Sequence, residues 1–181
     1  MDVSRRPSHG GPRLGRASCA KLVPWSAAGT ATMKLGWVWA RFDDLGVHAL
    51  HDALALRCKV FILEQGPYQD PDAADKQSYH LLGYDESGVL QACLRVVDPG
   101  VNYPEPSIGR VVIAREARGN GTGRALMAEG IARCSQAWPG RGIRISAQAH
   151  LQAFYGSLGF VAVSDEYLED DIPHLEMLRS A

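Results

Sequence analysis

The stretch Arg118-Gly119-Asn120-Gly121-Thr122-Gly123 joins a predicted strand to a predicted helix through three glycines. Glycine tolerates positive φ angles and lets a ligand approach the backbone closely. The first turn of a helix offers unpaired N–H groups and a partial positive charge, which together favour a phosphate. The loop is therefore either an anion-binding pocket or an ordinary glycine-rich turn, and its spacing and context decide between the two.

Two familiar nucleotide-binding patterns do not fit this loop. A P-loop requires Gly-x-x-x-x-Gly-Lys-Ser/Thr, but the loop has neither that spacing nor a lysine after Gly123. The dinucleotide fingerprint Gly-x-Gly-x-x-Gly fails too, because Arg124 occupies its third small position and the loop comes late in the chain. The pattern that fits is Arg/Gln-x-x-Gly-x-Gly/Ala, formed by Arg118, Gly121 and Gly123.

The composition favours one globular domain that acts on a small molecule. The chain has 181 residues, of which 46% are hydrophobic, enough for one sizeable core. A formal net charge of −1 argues against nucleic acid or an acidic membrane surface as a partner. No apolar run reaches the roughly 18 residues of a membrane span, and we expect a cytoplasmic protein. The four scattered cysteines are expected to be reduced core thiols: Cys19, Cys58, Cys93 and Cys134.

Residues 1–32 differ in composition from the remainder. They carry five basic residues against one acidic residue and show no apolar period, which predicts a disordered extension before a domain at 33–181. A transit peptide and an extension upstream of a natural start at Met33 are the alternatives. A signal peptide does not fit, because no apolar stretch follows the arginines.

Hydrophobic periodicity predicts the order β-α-β-β-β-α-β-α-β-β. The strands are expected at 34–42, 79–84, 89–97, 107–114, 142–147, 160–163 and 174–178. The helices are expected at 47–64, from Gly123 to Trp138, and at 148–158, the first of them capped by Asp43 and Asp44. This order indicates an α/β (α+β) domain with one mixed, largely antiparallel sheet of about seven strands flanked by helices.

The first helix and the loop after it carry two further expectations. The helix should bury the stripe Val47, Leu50, Leu54, Cys58 and Phe61, which recurs at spacings of three and four. Asp70, Asp72 and Asp75 then give an acidic loop, but the third ligand and the glycine of an EF-hand are missing, so no metal is expected. The loop is instead an acidic lip that attracts a cationic amine, or it is freely solvated.

The loop pattern also has a distinctive context. It is preceded by VVIAREA at 111–117 and followed by AFYGSLGF at 153–160. Together these motifs resemble the GCN5-related N-acetyltransferase (GNAT) family over residues 35–179. A closer likeness is to the ElaA group of that family, through RCKVFILEQGPYQDPDAAD at 57–75, AQAHLQAFY at 147–155 and EDDIPH at 169–174.

The resemblance implies an acyltransferase that uses acetyl-CoA as its acyl donor and needs no metal. The coenzyme pyrophosphate would lie on the loop and the helix start, and the pantetheine arm along the strand before them. The coenzyme contacts implied are Val111, Val112, Ile113, Arg118, Gly119, Asn120, Gly121, Thr122, Gly123, Arg124 and Gln148, the last of which stands where the family often has asparagine.

Acetyl transfer to an amine needs a neutral amine, a polarised carbonyl and a proton for the departing thiolate. Neutralising an amine of pKa about 10.4 at pH 7 costs about 4–5 kcal/mol, and Glu64 and His174 are the candidate bases. A backbone N–H near Ile113 would stabilise the carbonyl oxygen. The resemblance puts Tyr155 beside the coenzyme sulfur, and a phenol of pKa about 10 against about 8.5 for a thiol favours a hydrogen bond over full proton transfer.

Each assignment has an alternative. Tyr155 could be a packed aromatic, Glu64 a solvated helix end and His174 a structural histidine, while Arg110 and His80 have no assigned role. The chain could also be a coenzyme-A-binding sensor or interaction module without catalysis. A third hypothesis is an amino-acid-lactone or other acyl-chain synthase, because residues 57–65 resemble the early helix of acyl-homoserine lactone synthases. The acceptor, a small-molecule or peptide amine, and a homodimer are left open by the sequence.

Overall fold

The computed structural model of the chain describes residues 34–66 and 69–181. The predicted extension over residues 1–32 and the assignment of Met33 as a start lie outside the described residues. Among those that are described, no helix is both long and apolar enough to cross a membrane.

One mixed sheet forms the centre of the domain. Its strands lie side by side in the order β1-β2-β3-β4-β5-β8-β6, and β7 pairs with β8. Their bounds are Gly36–Arg41 (β1), Ser78–Tyr84 (β2), Leu90–Val97 (β3), Ser107–Ile113 (β4), Ile143–Gln148 (β5), Val161–Ala162 (β6), Tyr167–Glu169 (β7) and Ile172–Arg179 (β8). Every pairing is antiparallel except that of β4 with β5, so the predicted fold class is confirmed.

Helices cover both faces of this sheet. They are α1 at Val47–Arg57, α2 at Thr122–Ala137 and α3 at Gln152–Gly156. Successive residues of a strand point to opposite faces, so Leu81 joins the apolar cluster under α2 and α3 while Leu82 joins the cluster under α1. The predicted inner face of α2 is confirmed by Leu126 and Cys134, which are fully buried.

The start of α1 differs from the prediction. Gly46 precedes the helix, and none of the described side chains caps it. Asp43 and Asp44 lie one turn earlier, in a 3₁₀ turn at Phe42–Asp44. Beyond Arg57 the chain widens into a π-helical turn at Cys58–Ile62, a feature that often marks a functional site.

The buried stripe of α1 also differs from the prediction. Val47 is 77% exposed, whereas Ala53, Leu56 and Arg57 face the core. Hydrophobic periodicity identifies only apolar residues as inward-facing, so it misses the buried Arg57. Cys58 is exposed as well, so it is not the core thiol that was expected.

Two of the other three cysteines lie among the described residues. Cys93 and Cys134 are free and buried as predicted, and burial raises the pKa of each thiol to about 12. Cys19 lies outside the described residues.

The strand β7 has no clear signal in the sequence. It is three exposed residues long and forms a hairpin with β8 through Asp170 and Asp171, with φ angles of +52° and +59°. Such left-handed turns favour Asn or Gly, so an Asp-Asp pair does not predict a hairpin.

The strands β4 and β5 diverge, and this divergence positions the site. The parallel pair shares one register position, Ser107 with Arg144, held by the hydrogen bond from the Arg144 N–H to the Pro106 carbonyl at 3.0 Å. On its other side β4 is irregular, because its register with β3 shifts near Arg110, a non-glycine residue at φ +50°. A gap therefore opens between β4 and β5.

Candidate active site

A cavity of about 310 Å³ occupies the gap between β4 and β5. Its wall includes one predicted residue from each of β4, α3, β5 and β8. They are Val111, Tyr155, Gln148 and His174. The fold thus brings together residues spread over more than sixty positions of the chain, from Val111 to His174.

Tyr155 lies in α3 and is held rigidly. Its ring packs edge-on against Phe154 and Phe160, with centroid distances of 5.1 and 6.1 Å. Only 7% of the residue is exposed, and this burial raises the pKa of Tyr155 to about 12. The phenol therefore stays protonated at neutral pH and can act as a hydrogen-bond donor.

His174 presents one ring nitrogen as a proton acceptor. Its Nδ1 lies 2.8 Å from the Ile172 carbonyl oxygen, and because a carbonyl only accepts, Nδ1 carries the hydrogen. In the neutral ring Nε2 then has a free lone pair. The ring also stacks on Tyr167, at a centroid distance of 6.3 Å.

A polar chain beside His174 was not predicted. Ser146 Oγ donates to Glu169 Oε2 at 3.0 Å and accepts from Tyr167 Oη at 2.7 Å. The signal for Ser146 was present in the sequence, because Arg144, Ser146 and Gln148 alternate with the buried residues of β5. Tyr167 and Glu169 lie on β7 and had no such signal.

The glycine loop forms the turn into α2. Gly119 and Gly121 have φ angles of +79° and +87°, which side chains other than glycine rarely adopt. Asn120 Oδ1 accepts hydrogen bonds from the Thr122 N–H and hydroxyl, so the first N–H group of α2 already has a partner in the loop. The next N–H groups of the first turn lie before the first possible intrahelical bond and can bind an anion.

Two arginines border this loop. Arg118 Nε donates to the Ile113 carbonyl at 3.1 Å, which ties the loop to the end of β4. Arg124 lies at the start of α2, where its Nη2 donates to Ser157 Oγ at 3.0 Å. With the helix terminus they bring positive charge to this end of β4, which the carboxylate of Glu64 offsets in part.

Glu64 lies beside the loop and not in the wall of the cavity. Its carboxylate accepts a 2.8 Å hydrogen bond from Arg118 Nη1 and lies 3.7 Å from Arg115 Nε. The hydrogen bond from Arg118 and both positive charges hold the pKa of Glu64 below its usual range. The two candidate bases are therefore separated, since His174 lines the cavity.

The predicted acidic lip is wrong, because its carboxylates are neutralised by arginines. The residues concerned, called here the arginine–aspartate network, are Arg57, Arg95, Arg110, Asp70, Asp72 and Asp75. Arg57 contacts Asp70 and Asp75 at 2.8 Å, with both carboxylates nearly buried. Although burial alone would raise it, the contacts with Arg57 and Arg95 lower the pKa of Asp75 to about 2.

Metal ligands do not cluster in the part of the chain that the structure describes. No group of three or more His, Cys, Asp or Glu side chains there could hold a metal ion.

Residues 52–180 match the family model of the acetyltransferase (GNAT) domain. The chain belongs to the GNAT family. A UPF0039 protein of Synechocystis is 44% identical over 147 residues, which cover 81% of this chain and 96% of that protein. Escherichia coli ElaA is 38% identical over 146 residues, which cover 79% of this chain and 95% of ElaA.

Solved GNAT structures agree with this assignment. A Pseudomonas aeruginosa acyl-CoA N-acyltransferase has a TM-score of 0.78 at 43% identity and covers 81% of this chain and 100% of its own. The E. coli ElaA structure has a TM-score of 0.76 at 37% identity and also covers 81% and 100%. The predicted family and ElaA group are confirmed, and the GNAT fold supports acyltransferase activity in general.

For the acyl-homoserine lactone synthase hypothesis, the comparison with solved structures supports a shared fold and nothing more. A CoA-dependent enzyme of that kind has a TM-score of 0.65 at 14% identity. Arg57, the first residue of the segment that suggested the hypothesis, is buried in the arginine–aspartate network.

Proposed function

We propose that this GNAT protein transfers an acetyl group from acetyl-CoA to an amine, which attacks the thioester directly. The observation that carries the proposal is the cavity between β4 and β5, whose wall includes Tyr155, His174 and part of the strand that leads into the glycine loop. No covalent enzyme intermediate is needed, because the amine is itself the nucleophile.

The glycine loop fits the anionic end of acetyl-CoA. A Cβ placed on Gly119 would meet no described atom within 4 Å, so a ligand has room to approach the backbone there. We assign the pyrophosphate to the N–H groups and side chains of Arg118–Arg124, and the pantetheine arm to Val111–Ile113. When bound, acetyl-CoA supplies the activated acyl group, and a β4 N–H near Ile113 stabilises its carbonyl oxygen.

We assign His174 as the proton acceptor for the amine. Its Nε2 has a free lone pair in the neutral ring, and the Ile172 carbonyl fixes the ring orientation. Glu64 is assigned instead to positioning, because its carboxylate holds Arg118 at the loop. Gln148, whose Nε2 donates to Gln65 Oε1 at 3.3 Å, lies in the cavity wall where the thioester would pass.

Tyr155 is the donor to the departing thiolate. A hydrogen bond to a charged group contributes about 1.5–3 kcal/mol, so Tyr155→Phe should lower kcat by about 10- to 100-fold. The affinity for acetyl-CoA should stay unchanged, since phenylalanine keeps the packing on Phe154 and Phe160. Thiol release measured with a panel of amines gives kcat, and calorimetry gives the affinity.

Tyr84→Phe is the matched control for this variant. The Tyr84 hydroxyl donates to Asp52 at 3.3 Å, outside the cavity, so its loss should change neither quantity. Unchanged turnover in Tyr155→Phe would remove the assigned role. Tight binding of acetyl-CoA with no thiol release on any amine would instead favour the coenzyme-A-binding sensor.

A further inference from the structure

Arg110 occupies a strained position on the wall of the cavity. Its φ of +50° lies in the left-handed region, at the point where the register of β4 with β3 shifts. A non-glycine residue keeps such a conformation only where its surroundings hold it, and these residues cluster at functional sites. The strained backbone therefore indicates a functional role for Arg110.

The guanidinium of Arg110 contacts two aspartates on one side, and its other side carries N–H groups that can bind a ligand. Its Nε lies 2.9 Å from Asp70 Oδ1, and its Nη2 donates to Asp72 Oδ2 at 3.1 Å. Its Nη1 has no partner among the residues that the structure describes and is not a buried atom. Two N–H donors in a fixed orientation therefore remain available for a ligand.

Arg110 also differs from the other arginines of the arginine–aspartate network. Its side chain is 27% exposed, whereas those of Arg57 and Arg95 are 2% and 5% exposed. It lines both the cavity of about 310 Å³ and a neighbouring one of about 80 Å³ that shares part of its wall. Within the network, Arg110 is thus the arginine that has N–H donors available for a ligand and also lines both cavities.

The same cavities offer proton and hydrogen-bond acceptors on another wall. Glu169 and His174 line both of them, and Glu169 accepts a hydrogen bond from Ser146 at 3.0 Å. A molecule with a cationic amine and an anionic carboxylate meets a suitable partner at each end, with the amine beside His174 and the carboxylate at Arg110. A simple amine would leave the donors of Arg110 unused.

We propose that the acceptor is an amino-carboxylate, such as a free amino acid, whose carboxylate is bound by Nη1 of Arg110. The inference rests on the proposed acetyl transfer. The amine nitrogen bonds to the thioester carbonyl carbon, and the carbon–sulfur bond breaks. The products are an N-acetyl amino acid and the CoA thiol, and one proton is released overall from the ammonium form of the acceptor.

The test measures binding and does not depend on turnover. Protein saturated with CoA is titrated calorimetrically with the N-acetyl derivatives of the twenty standard amino acids and with their carboxamides. At least one acid should bind about 10- to 100-fold more tightly than its amide, because a charge-assisted pair with Arg110 is lost in the amide. Arg110→Gln should abolish this preference, and Arg110→Lys should keep part of it.

Arg133→Gln is the control, because Arg133 pairs with Glu129 on α2 and does not line either cavity. Wild-type protein that binds no acid, or binds acids and amides equally, would overturn the proposal, as would an unchanged preference in a folded Arg110→Gln protein. The wild-type comparison stands even if Arg110→Gln does not fold. Acetyl-CoA binding and thiol release with simple amines test the acyltransferase separately, so the two failures can be told apart.

Discussion

Tyr155 and His174 lie on opposite faces of the sheet and still line one cavity. Tyr155 belongs to the cluster under α3, whereas His174 precedes the inward-facing Leu175 on β8 and points to the other face. Both side chains line the cavity because β4 and β5 separate after a single paired position. The sequence supports the choice of these residues, but their place in one cavity depends on a gap that no local pattern reveals.

For Glu64, the role that we propose differs most from the role expected from the sequence. If it positions Arg118, Glu64→Gln should weaken acetyl-CoA binding by about two- to fivefold, the size expected for an exposed ion pair. The pH dependence of kcat should keep its shape, because the proposed proton acceptor is His174. Calorimetry and a pH series of turnover measure the two effects.

Glu129→Gln is the matched control, because Glu129 forms a similar 2.8 Å pair with Arg133 on α2, away from the loop. It should leave acetyl-CoA binding unchanged. Loss of the acidic limb of the kcat profile in Glu64→Gln, where turnover falls as a base becomes protonated, would return Glu64 to the role of base.

At the scale of elements, the arginine–aspartate network joins three parts of the domain. It links Arg57 of α1 and Arg95 of β3 to the 3₁₀ turn at Ala73–Gln77, which carries Asp75. A buried pair is costly to break because it leaves a charge without a partner, by about 3–5 kcal/mol. The network therefore fixes the loop that borders the cavity.

This network predicts a pH-dependent stability. The folded pKa of Asp75 is about 2, below the roughly 3.9 of an unfolded aspartate, so its stabilising effect is complete above pH 4–5. It is lost as the pH falls towards 2, and the loss amounts to about 2 kcal/mol. Urea unfolding of wild type and Asp75→Asn between pH 7 and 2 should show a difference in unfolding free energy that shrinks by this amount.

Asp43→Asn serves as the control in the same series, because Asp43 is exposed in the turn before α1. Its unfolding free energy should stay within about 0.5 kcal/mol of wild type at each pH. A difference between wild type and Asp75→Asn that does not change with pH would contradict the assignment of Asp75.

The sequence predicted best the elements whose apolar residues recur at the expected spacing. On α2, for example, Leu126 and Cys134 are buried as expected, whereas β3 also buries Arg95. The failures involve buried charge: Arg57 faces inward on α1, and Asp75 is buried at its side. Ion pairs between residues distant in the chain leave no periodic signal, so hydrophobic patterns cannot show them.

At the scale of the whole molecule, the sequence carries more information about the proposed cofactor side of the site than about the proposed acceptor side. The glycine loop is one continuous segment, and its spacing carries the information. The proposed acceptor side consists of Arg110 of β4, His174 of β8 and Glu169 of β7, which line the same cavities only after folding. No motif in the sequence links these residues, so the proposal depends on the structure.

The central claim is that the glycine loop binds acetyl-CoA, and calorimetric titration with acetyl-CoA tests it most directly. Gly119→Trp is compared with Gly140→Trp, since these glycines have φ angles of +79° and +74° and equally open surroundings, but Gly140 lies beyond the far end of α2. Wild type and Gly140→Trp should bind alike, and Gly119→Trp should bind at least about tenfold more weakly. No binding by wild type, or equal binding by the two variants, would contradict the account.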